Sequence, residues 1–245
     1  MVSRLQDHGG KGDVLLRPTE QDLLDNWAHI LYENIKGDRR LNGYPLAQGE
    51  MQQILEKVAK LHTPMRPNGL INGRAVSITC GNPDDVGHFN REVSLYIYDR
   101  RDIVSGRSVY QIAEQPIFKA RSARLNDRRG DLTLLINGMP LIHIELKRSG
   151  VPVSQACNQI EKYAYEGVFT GLFSLVQIFV SMEPVETVYF ANPGEGGDFS
   201  LCRFHWAFSR STSTATSPET RPRFRPRRTR TCCASASRAM IRPTR

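Results

Sequence analysis

Two stretches in the first quarter of the chain carry apolar residues at the spacing of one helix face. The first runs from Pro18 to Ile35 and is followed by Gly37, and the second runs from Ala47 to Leu61. Apolar residues that recur every three or four positions line one side of an α-helix, and Pro and Gly mark helix starts and ends. We expect both helices to pack on a sheet through these faces: Leu23, Leu24, Trp27, Ile30, Leu31 and Ile35, then Met51, Ile54, Leu55, Val58 and Leu61.

The middle of the chain alternates between strand-forming runs and turn residues. The pattern predicts strands at Ala75 to Thr79, Val93 to Tyr98 and Val109 to Ile112, because β-branched and aromatic residues bounded by Gly, Pro, Asn or Asp favour strands. The turns between them are Asn82-Pro-Asp-Asp85 and Ser105-Gly106. We find no internal repeat.

Asn137-Gly138 joins two nearly continuous apolar runs, Leu132 to Ile136 and Leu141 to Leu146. A type I′ turn needs positive φ at both central residues, which Asn and Gly tolerate best. The two runs are therefore predicted to be antiparallel neighbours. Their apolar character is typical of central strands covered on both faces.

Charged residues lie at one end of this predicted hairpin. Because side chains alternate along a strand, His143, Glu145 and Lys147 share a face, beside Asp131 at the start of the paired strand. Mg²⁺ prefers carboxylate and carbonyl oxygens, so Asp131, Glu145 and the carbonyl of Leu146 form a plausible half-shell. Lys147 would orient the attacking water or stabilise the transition state. This is the arrangement of a magnesium-dependent nuclease; the alternative is an exposed strand-end pair beside a turn aspartate.

The stretch from Val153 to Glu166 has helical composition and places Gln159 and Tyr163 one turn apart on one face. Directly after Glu-x-Lys, these two side chains could reach back over the strand ends to a phosphate or to the lysine. The alternative is surface polarity with a half-buried tyrosine.

These motifs, in this order, resemble one known family. Asn126-Asp-Arg-Arg-Gly-Asp131, Glu145-Leu-Lys147, Gln159-Ile-Glu-Lys-Tyr163, Gln177-Ile-Phe-Val180 and Tyr189-Phe-Ala-Asn192 are similar to the N-terminal nuclease domain of the type I restriction enzyme R subunit, HsdR. The resemblance covers roughly Leu24 to Trp206.

The resemblance implies a PD-(D/E)xK core with a QxxxY helix, in which Asp131 and Glu145 bind the metal, Lys147 is catalytic, and Gln159 and Tyr163 support it. The implied fold is restriction-endonuclease-like, an α/β fold with a central mixed sheet flanked by helices. An acidic residue of the first helix completes the family's site; Glu20, Asp22 and Asp25 all fit.

The implied activity is Mg²⁺-dependent hydrolysis of double-stranded DNA, as a type I site-specific deoxyribonuclease. The implied partners are the methylase (M) and specificity (S) subunits of a restriction complex. Such R subunits resemble ATP-driven motors, but the 245 residues contain no Gly-x-x-x-x-Gly-Lys-Ser/Thr loop, so we expect ATP only in a full-length parent. The alternative is a catalytically silent remnant that acts only in DNA binding or subunit assembly.

Net charge separates the chain into a body and a tail. The whole chain carries +8, and residues 207–245, with ten Arg and one acid, carry +9, which leaves −1 for the first 206 residues. The body is therefore no general nucleic-acid binder, and DNA contact is left to local groups, namely Arg128, Arg129, Lys147, Arg148 and Lys162.

The tail is rich in Arg, Ser, Thr and Pro, a composition that favours disorder. It is either an arginine-rich nucleic-acid-binding arm or, more economically, the product of a frameshift just after Phe204-His205-Trp206-Ala207 that truncates an R subunit before its helicase motor. The predicted division is a flexible N terminus at 1–17, a nuclease domain at 18–206 and the tail at 207–245.

The remaining signals point away from other kinds of site. Five cysteines without C-x-x-C spacing favour neither a zinc site nor a disulfide framework. No apolar run is long enough for a bilayer, and we expect a cytoplasmic protein without membrane attachment. His143 could assist phosphate binding, but a histidine hydrogen-bonded in place is the preferred interpretation.

Overall fold

The computed structural model describes residues 12–35, 44–60, 75–97, 106, 108–119, 126–194, 197–199 and 203–207. Its main feature is a mixed seven-stranded sheet in the order β1-β4-β7-β8-β9-β10-β11. The strands are β1 (Gly12–Leu16), β4 (Tyr110–Glu114), β7 (Leu132–Ile136), β8 (Met139–Leu146), β9 (Ile178–Met182), β10 (Glu186–Ala191) and β11 (Phe204–Ala207). The β1–β4 and β8–β9 pairs are parallel and the others antiparallel.

The predicted hairpin lies in the centre of this sheet, as β7 and β8. Asn137 and Gly138 both have positive φ, 51° and 82°, as the Asn-Gly turn requires. Strand β8 begins at Met139, two residues earlier than predicted, and the register shifts between Leu134 and Leu135. The hairpin prediction is confirmed, and the hairpin lies at the centre of the sheet.

Three α-helices are described: α1 (Glu20–Ile35), α2 (Gln48–Ala59) and α3 (Val153–Tyr165), with a 3₁₀ helix at Gly171–Leu175. Helix α1 begins after Thr19, whose hydroxyl accepts the N–H of Asp22 while the Asp22 carboxylate accepts the N–H of Thr19. This reciprocal cap satisfies two backbone donors that the first turn leaves free. All three helices were predicted from sequence within two residues at the described ends.

The helices pack against one face of the large sheet. Apolar side chains of α1, including the fully buried Trp27, share a core with Ala113 and Leu135, and the buried face of α3 packs on Phe179 and Phe190. Helix α2 joins the first core together with a small antiparallel sheet formed by β2 (Ala75–Thr79) and β3 (Glu92–Tyr96). The other short pair is β5 (Ile117–Phe118) with β6 (Arg128–Arg129).

The opposite face of the large sheet also carries apolar side chains, but these are partly exposed. They alternate with the buried positions along β4, β8, β9 and β10, and their exposed fractions are 38 to 50% at Tyr110, Ile112, Leu146, Ile178, Met182 and Tyr189. We expected both faces of the hairpin strands to be covered. The described helices cover one face, and the other face is partly exposed. The large mixed sheet with helices is as expected.

Several boundaries differ from the sequence prediction. Residues 12–16, assigned to a flexible N terminus, form β1, which pairs in parallel with β4. The strand predicted at Val109 to Ile112 lies at Tyr110–Glu114, and the one predicted at Val93 to Tyr98 lies at Glu92–Tyr96. Strand β11 extends to Ala207, one residue past the predicted end of the domain. The tail from residue 208, together with residues 1–11, Gly37, Leu61 and Tyr98, lies outside the described residues.

None of the helices in the described part of the chain is both long enough and apolar enough to cross a membrane. Cys80 and Cys157 are buried free thiols, while the other three cysteines lie outside the described residues.

Candidate active site at the end of the central hairpin

Asp131 stands immediately before β7, opposite the end of β8. Its Oδ2 accepts the backbone N–H of Leu146 at 2.7 Å. This bond fixes the aspartate beside the Glu-x-Lys segment. The predicted pairing of the two motifs across the hairpin is therefore present in the structure.

Glu145 points from β8 into the protein and is fully buried. Burial first, and then the negative charge of Asp131, raises the pKa of the Glu145 carboxyl group to about 8, while Lys147 opposes that rise. A buried carboxylate is expensive unless it is paired. The charges of Asp131 and Lys147 thus act on the Glu145 carboxyl group in opposite directions.

One oxygen of Glu145 is engaged and the other is not. Oε1 lies 3.0 Å from Nε2 of His143, whereas Oε2 is buried and finds no hydrogen-bond partner among the described residues. Buried polar atoms are nearly always bonded, so Oε2 calls for a partner, and a bound cation would supply one.

A chain of hydrogen bonds holds the lysine. The Lys147 ammonium donates to Oε1 of Gln159 at 2.6 Å, and the Gln159 amide donates to the Tyr163 hydroxyl at 2.8 Å. That hydroxyl donates to the carbonyl of Arg129 at 3.2 Å. Gln159 and Tyr163 of α3 thus reach back over the strand ends to Lys147. The sequence alone allowed either this arrangement or simple surface polarity.

His143 is fully buried between two polar neighbours. Nδ1 lies 3.2 Å from the hydroxyl of Thr133, and Nε2 lies 3.0 Å from Glu145. Burial lowers the pKa of the imidazole to about 4. A buried ring bonded at both nitrogens is the hydrogen-bonded histidine that the sequence analysis preferred over a phosphate contact.

The donor set is of the kind that holds Mg²⁺. This ion is bound through one or two carboxylates and keeps several waters or substrate oxygens. The structure supplies the carboxylates of Asp131 and Glu145, and the buried Oε2 of Glu145 has no hydrogen-bond partner among the described residues. Among the described residues no group of three or more His, Cys, Asp or Glu side chains is placed to hold a metal ion. An ion at this pair would therefore take its other ligands from water, substrate or backbone carbonyls.

The predicted DNA-contacting groups have different surroundings. Arg128 donates two 2.8 Å hydrogen bonds to the Glu166 carboxylate, so its charge is already paired. Arg129 and Arg148 are exposed, and Lys162 is exposed with its ammonium 4.0 Å from Glu166. Their role in DNA binding stays a prediction.

The three acidic residues of the first helix have separate positions. Glu20 accepts the N–H of Leu172 at 2.8 Å, Asp22 caps α1 through Thr19, and Asp25 accepts a hydrogen bond from Gln21. These contacts do not select any of the three as a further metal ligand.

Two buried hydroxyl groups at the site were missed by the sequence analysis. Thr133 bonds to His143, and Ser181 on β9 pairs with Glu145 in parallel register. The Ser181 hydroxyl is buried and, within the described part of the chain, has no partner. Nothing in the local sequence marks these two residues, and only the register of the sheet places them beside the site.

Residues 84–197, which include the hairpin, the Glu-x-Lys segment and α3, match the family model described as "Type I restriction enzyme R protein N terminus". The segment that carries the candidate site, residues 84–197, is therefore of this family.

Relatives of known name agree with the family. The chain is 31% identical over 213 residues to the SsaAORF53P endonuclease subunit of a type I restriction enzyme from Staphylococcus saprophyticus, covering 84% of this chain and 20% of the relative. It is 36% identical over 125 residues to the EcoprrI endonuclease subunit from Escherichia coli, covering 49% of this chain and 37% of the relative. The chain spans about a fifth of the length of the staphylococcal relative.

Proposed function

We propose that this chain carries the Mg²⁺-dependent DNA endonuclease domain of a type I restriction R subunit. The observation that carries the proposal is the meeting of Asp131, Glu145 and Lys147 at one end of the central hairpin, where one buried Glu145 oxygen has no hydrogen-bond partner in the described part of the chain. The names of the relatives, endonuclease subunits of type I restriction enzymes, support the reaction class. The proposed fold is restriction-endonuclease-like.

Each polar group of the site has a role in the proposed reaction. Asp131, Glu145 and the Leu146 carbonyl would hold Mg²⁺. When bound, the ion supplies a Lewis acid that activates water and stabilises the leaving oxygen of the phosphodiester. Lys147 would orient the attacking water and offset negative charge on the phosphate. Gln159 and Tyr163 hold the lysine in place through their hydrogen-bond chain.

The substrate and partners in the proposal are double-stranded DNA and the methylase and specificity subunits of a restriction complex. ATP-driven translocation is proposed only for the parts of the longer relatives that this chain does not span. Selection of a DNA sequence is proposed to belong to the specificity subunit.

The test is metal-dependent cutting of supercoiled plasmid DNA by the purified chain. We expect nicking in Mg²⁺, none in EDTA, and a loss of at least about a hundredfold in Asp131→Ala, Glu145→Ala and Lys147→Ala, since each removes a ligand or the charge at the reacting phosphate. Glu92→Ala and Lys60→Ala, which change exposed residues of β3 and of the end of α2, are matched controls and should cut normally.

Two results would count against the proposal. Unchanged cutting in all three site variants would show that nuclease activity comes from elsewhere. Absence of metal-dependent cutting by the unchanged chain would favour the second candidate, a domain that only binds DNA or subunits. The chain's short span of its relatives is the observation that keeps this candidate in view.

A further inference from the structure

A buried polar line runs behind the candidate site, from the Thr133 hydroxyl through the His143 ring to Glu145. The three side chains are 0 to 1% exposed. They occupy one face of β7 and β8, since Thr133 and His143 are paired in the antiparallel register. Thr133 and His143 therefore have no access to substrate and can act only through the Glu145 carboxylate at the end of the line.

The hydrogen bonds of this line have one consistent direction when Glu145 is ionised. A carboxylate only accepts, so Nε2–H of His143 donates to Oε1, and Nδ1 must then accept from the Thr133 hydroxyl. An uncharged ring satisfies both contacts. The consequence is that Oε1 is occupied from behind, and Oε2 is the oxygen left to face Asp131.

The ring itself is held by its neighbours. Phe118 and Phe169 meet it edge-on, with ring centroids 5.6 and 5.4 Å away. Gly130, the residue before Asp131, approaches it so closely that a Cβ there would lie 2.6 Å from the His143 ring and 2.8 Å from Phe118. The imidazole thus touches the chain segments that carry both carboxylates.

We propose that His143 is a positioning residue for the metal site: it fixes the Glu145 carboxylate through Oε1 and sets the approach of the Asp131 segment, so that the two carboxylates face one divalent cation. The proposal rests on the proposed function, because it assigns a cation to the pair. Outer-shell partners of metal ligands typically contribute a factor of 10 to 100 in metal affinity.

The test uses Mn²⁺ alone, titrated into the full chain at one pH and followed by electron paramagnetic resonance, with no DNA present. We expect His143→Leu to weaken Mn²⁺ binding by about tenfold or more. His143→Gln keeps an amide N–H that can reach Oε1 and should bind close to the unchanged chain. Thr133→Val, which removes only the hydroxyl that orients Nδ1, should give a smaller loss.

A matched control separates positioning from general damage. Gln111 is another buried polar residue on the helix-covered face of the sheet, and its amide bonds to Asn26 at 2.9 Å. Gln111→Leu should lower stability and leave the Mn²⁺ affinity unchanged. Thermal unfolding of each variant shows whether it is folded at the temperature of the titration.

The outcomes distinguish this inference from the proposed function. If the unchanged chain binds Mn²⁺ at a site that Glu145→Ala removes, the metal assignment stands. The positioning role is then overturned if His143→Leu and Thr133→Val bind as tightly as the unchanged chain, or if Gln111→Leu weakens binding as much as His143→Leu. If the unchanged chain binds no Mn²⁺ at Glu145, the proposed metal site itself fails.

Discussion

At the scale of single residues, Glu145 lies where burial and a neighbouring negative charge both oppose ionisation. Its side chain is fully buried, and Asp131 adds to the rise of its pKa to about 8. Carboxyl groups with strongly shifted pKa values cluster at functional sites, and a bound cation would offset the repulsion between two neighbouring carboxylates. Ionised Glu145 therefore destabilises the metal-free fold but suits the proposed metal site.

Stability of the metal-free chain should therefore fall as pH rises above about 6.5. The folded state keeps the Glu145 proton up to about pH 8, whereas the unfolded chain loses it near 4.5, so rising pH favours unfolding throughout that window. The pKa of His143, lowered to about 4, acts in the opposite direction between about 4 and 6.5, because there the unfolded imidazole takes up a proton and the folded one does not. Above 6.5 only the Glu145 effect is left.

Chemical denaturation in EDTA between pH 6.5 and 8 measures this effect. The unchanged chain should lose up to roughly 1 kcal/mol per pH unit relative to Glu145→Gln, which has no proton to lose. Parallel pH profiles for the two proteins would mean that Glu145 is ionised in the folded state at neutral pH.

At the scale of elements, the site depends on how α3 crosses the ends of the central strands. The helix places its buried residues against β9 and β10, and this orientation turns Gln159 and Tyr163 towards Lys147. In the hydrogen-bond series Lys147–Gln159–Tyr163, the Tyr163 hydroxyl accepts from the Gln159 amide, whose oxygen in turn accepts from Lys147. Loss of the Tyr163 hydroxyl would therefore free the Gln159 side chain that holds the lysine.

Tyr163→Phe should slow DNA cutting at saturating DNA by about tenfold, at the low end of the range for residues that act through another, and leave Mn²⁺ affinity unchanged. Single-turnover rates measure the first quantity and a metal titration the second. Tyr165→Phe is the matched control, since Tyr165 lies on the same helix and is 80% exposed. Equal rates for Tyr163→Phe and the control would show that the hydrogen-bond chain has no part in catalysis.

At the scale of the whole molecule, the two faces of the large sheet differ in what covers them. Phe179 and Ile178 are neighbours on β9, one fully buried beneath α3 and the other 38% exposed on the opposite face. Alternate residues of a strand point to opposite faces. Substitutions of Phe179 and Ile178 therefore compare how much burial on each face contributes to stability within a single strand.

Phe179→Ala should destabilise the fold by about 3 to 5 kcal/mol, the usual range for removing a buried aromatic side chain. Ile178→Ala should lower the free energy of unfolding by less than about 2 kcal/mol, since part of that side chain already contacts solvent. Urea denaturation measures both. Similar losses in the two variants would indicate that Ile178 is covered in solution.

How far the sequence predicts the molecule depends on the range of the interactions involved. The β7–β8 hairpin, α1 and α3 were predicted because Asn-Gly turns, helix caps and 3.6-residue periodicity are local signals. Strand β1 was missed: its residues follow a glycine-rich stretch, and it is a strand because it pairs with β4, about a hundred positions later in the chain. Ser181 was missed for the same reason, since its place beside Glu145 follows from β8–β9 pairing.

The sequence by itself determined the motifs of the site and their spacing, because alternation along β8 and the helical turn between Gln159 and Tyr163 follow from backbone geometry. The tertiary structure alone decided that, among the residues it describes, one Glu145 oxygen is bonded and the other is not, that His143 stands behind it, and that Arg128 is paired with Glu166. The reason is physical: hydrogen bonds, burial and charge depend on neighbours that only folding brings within a few ångströms.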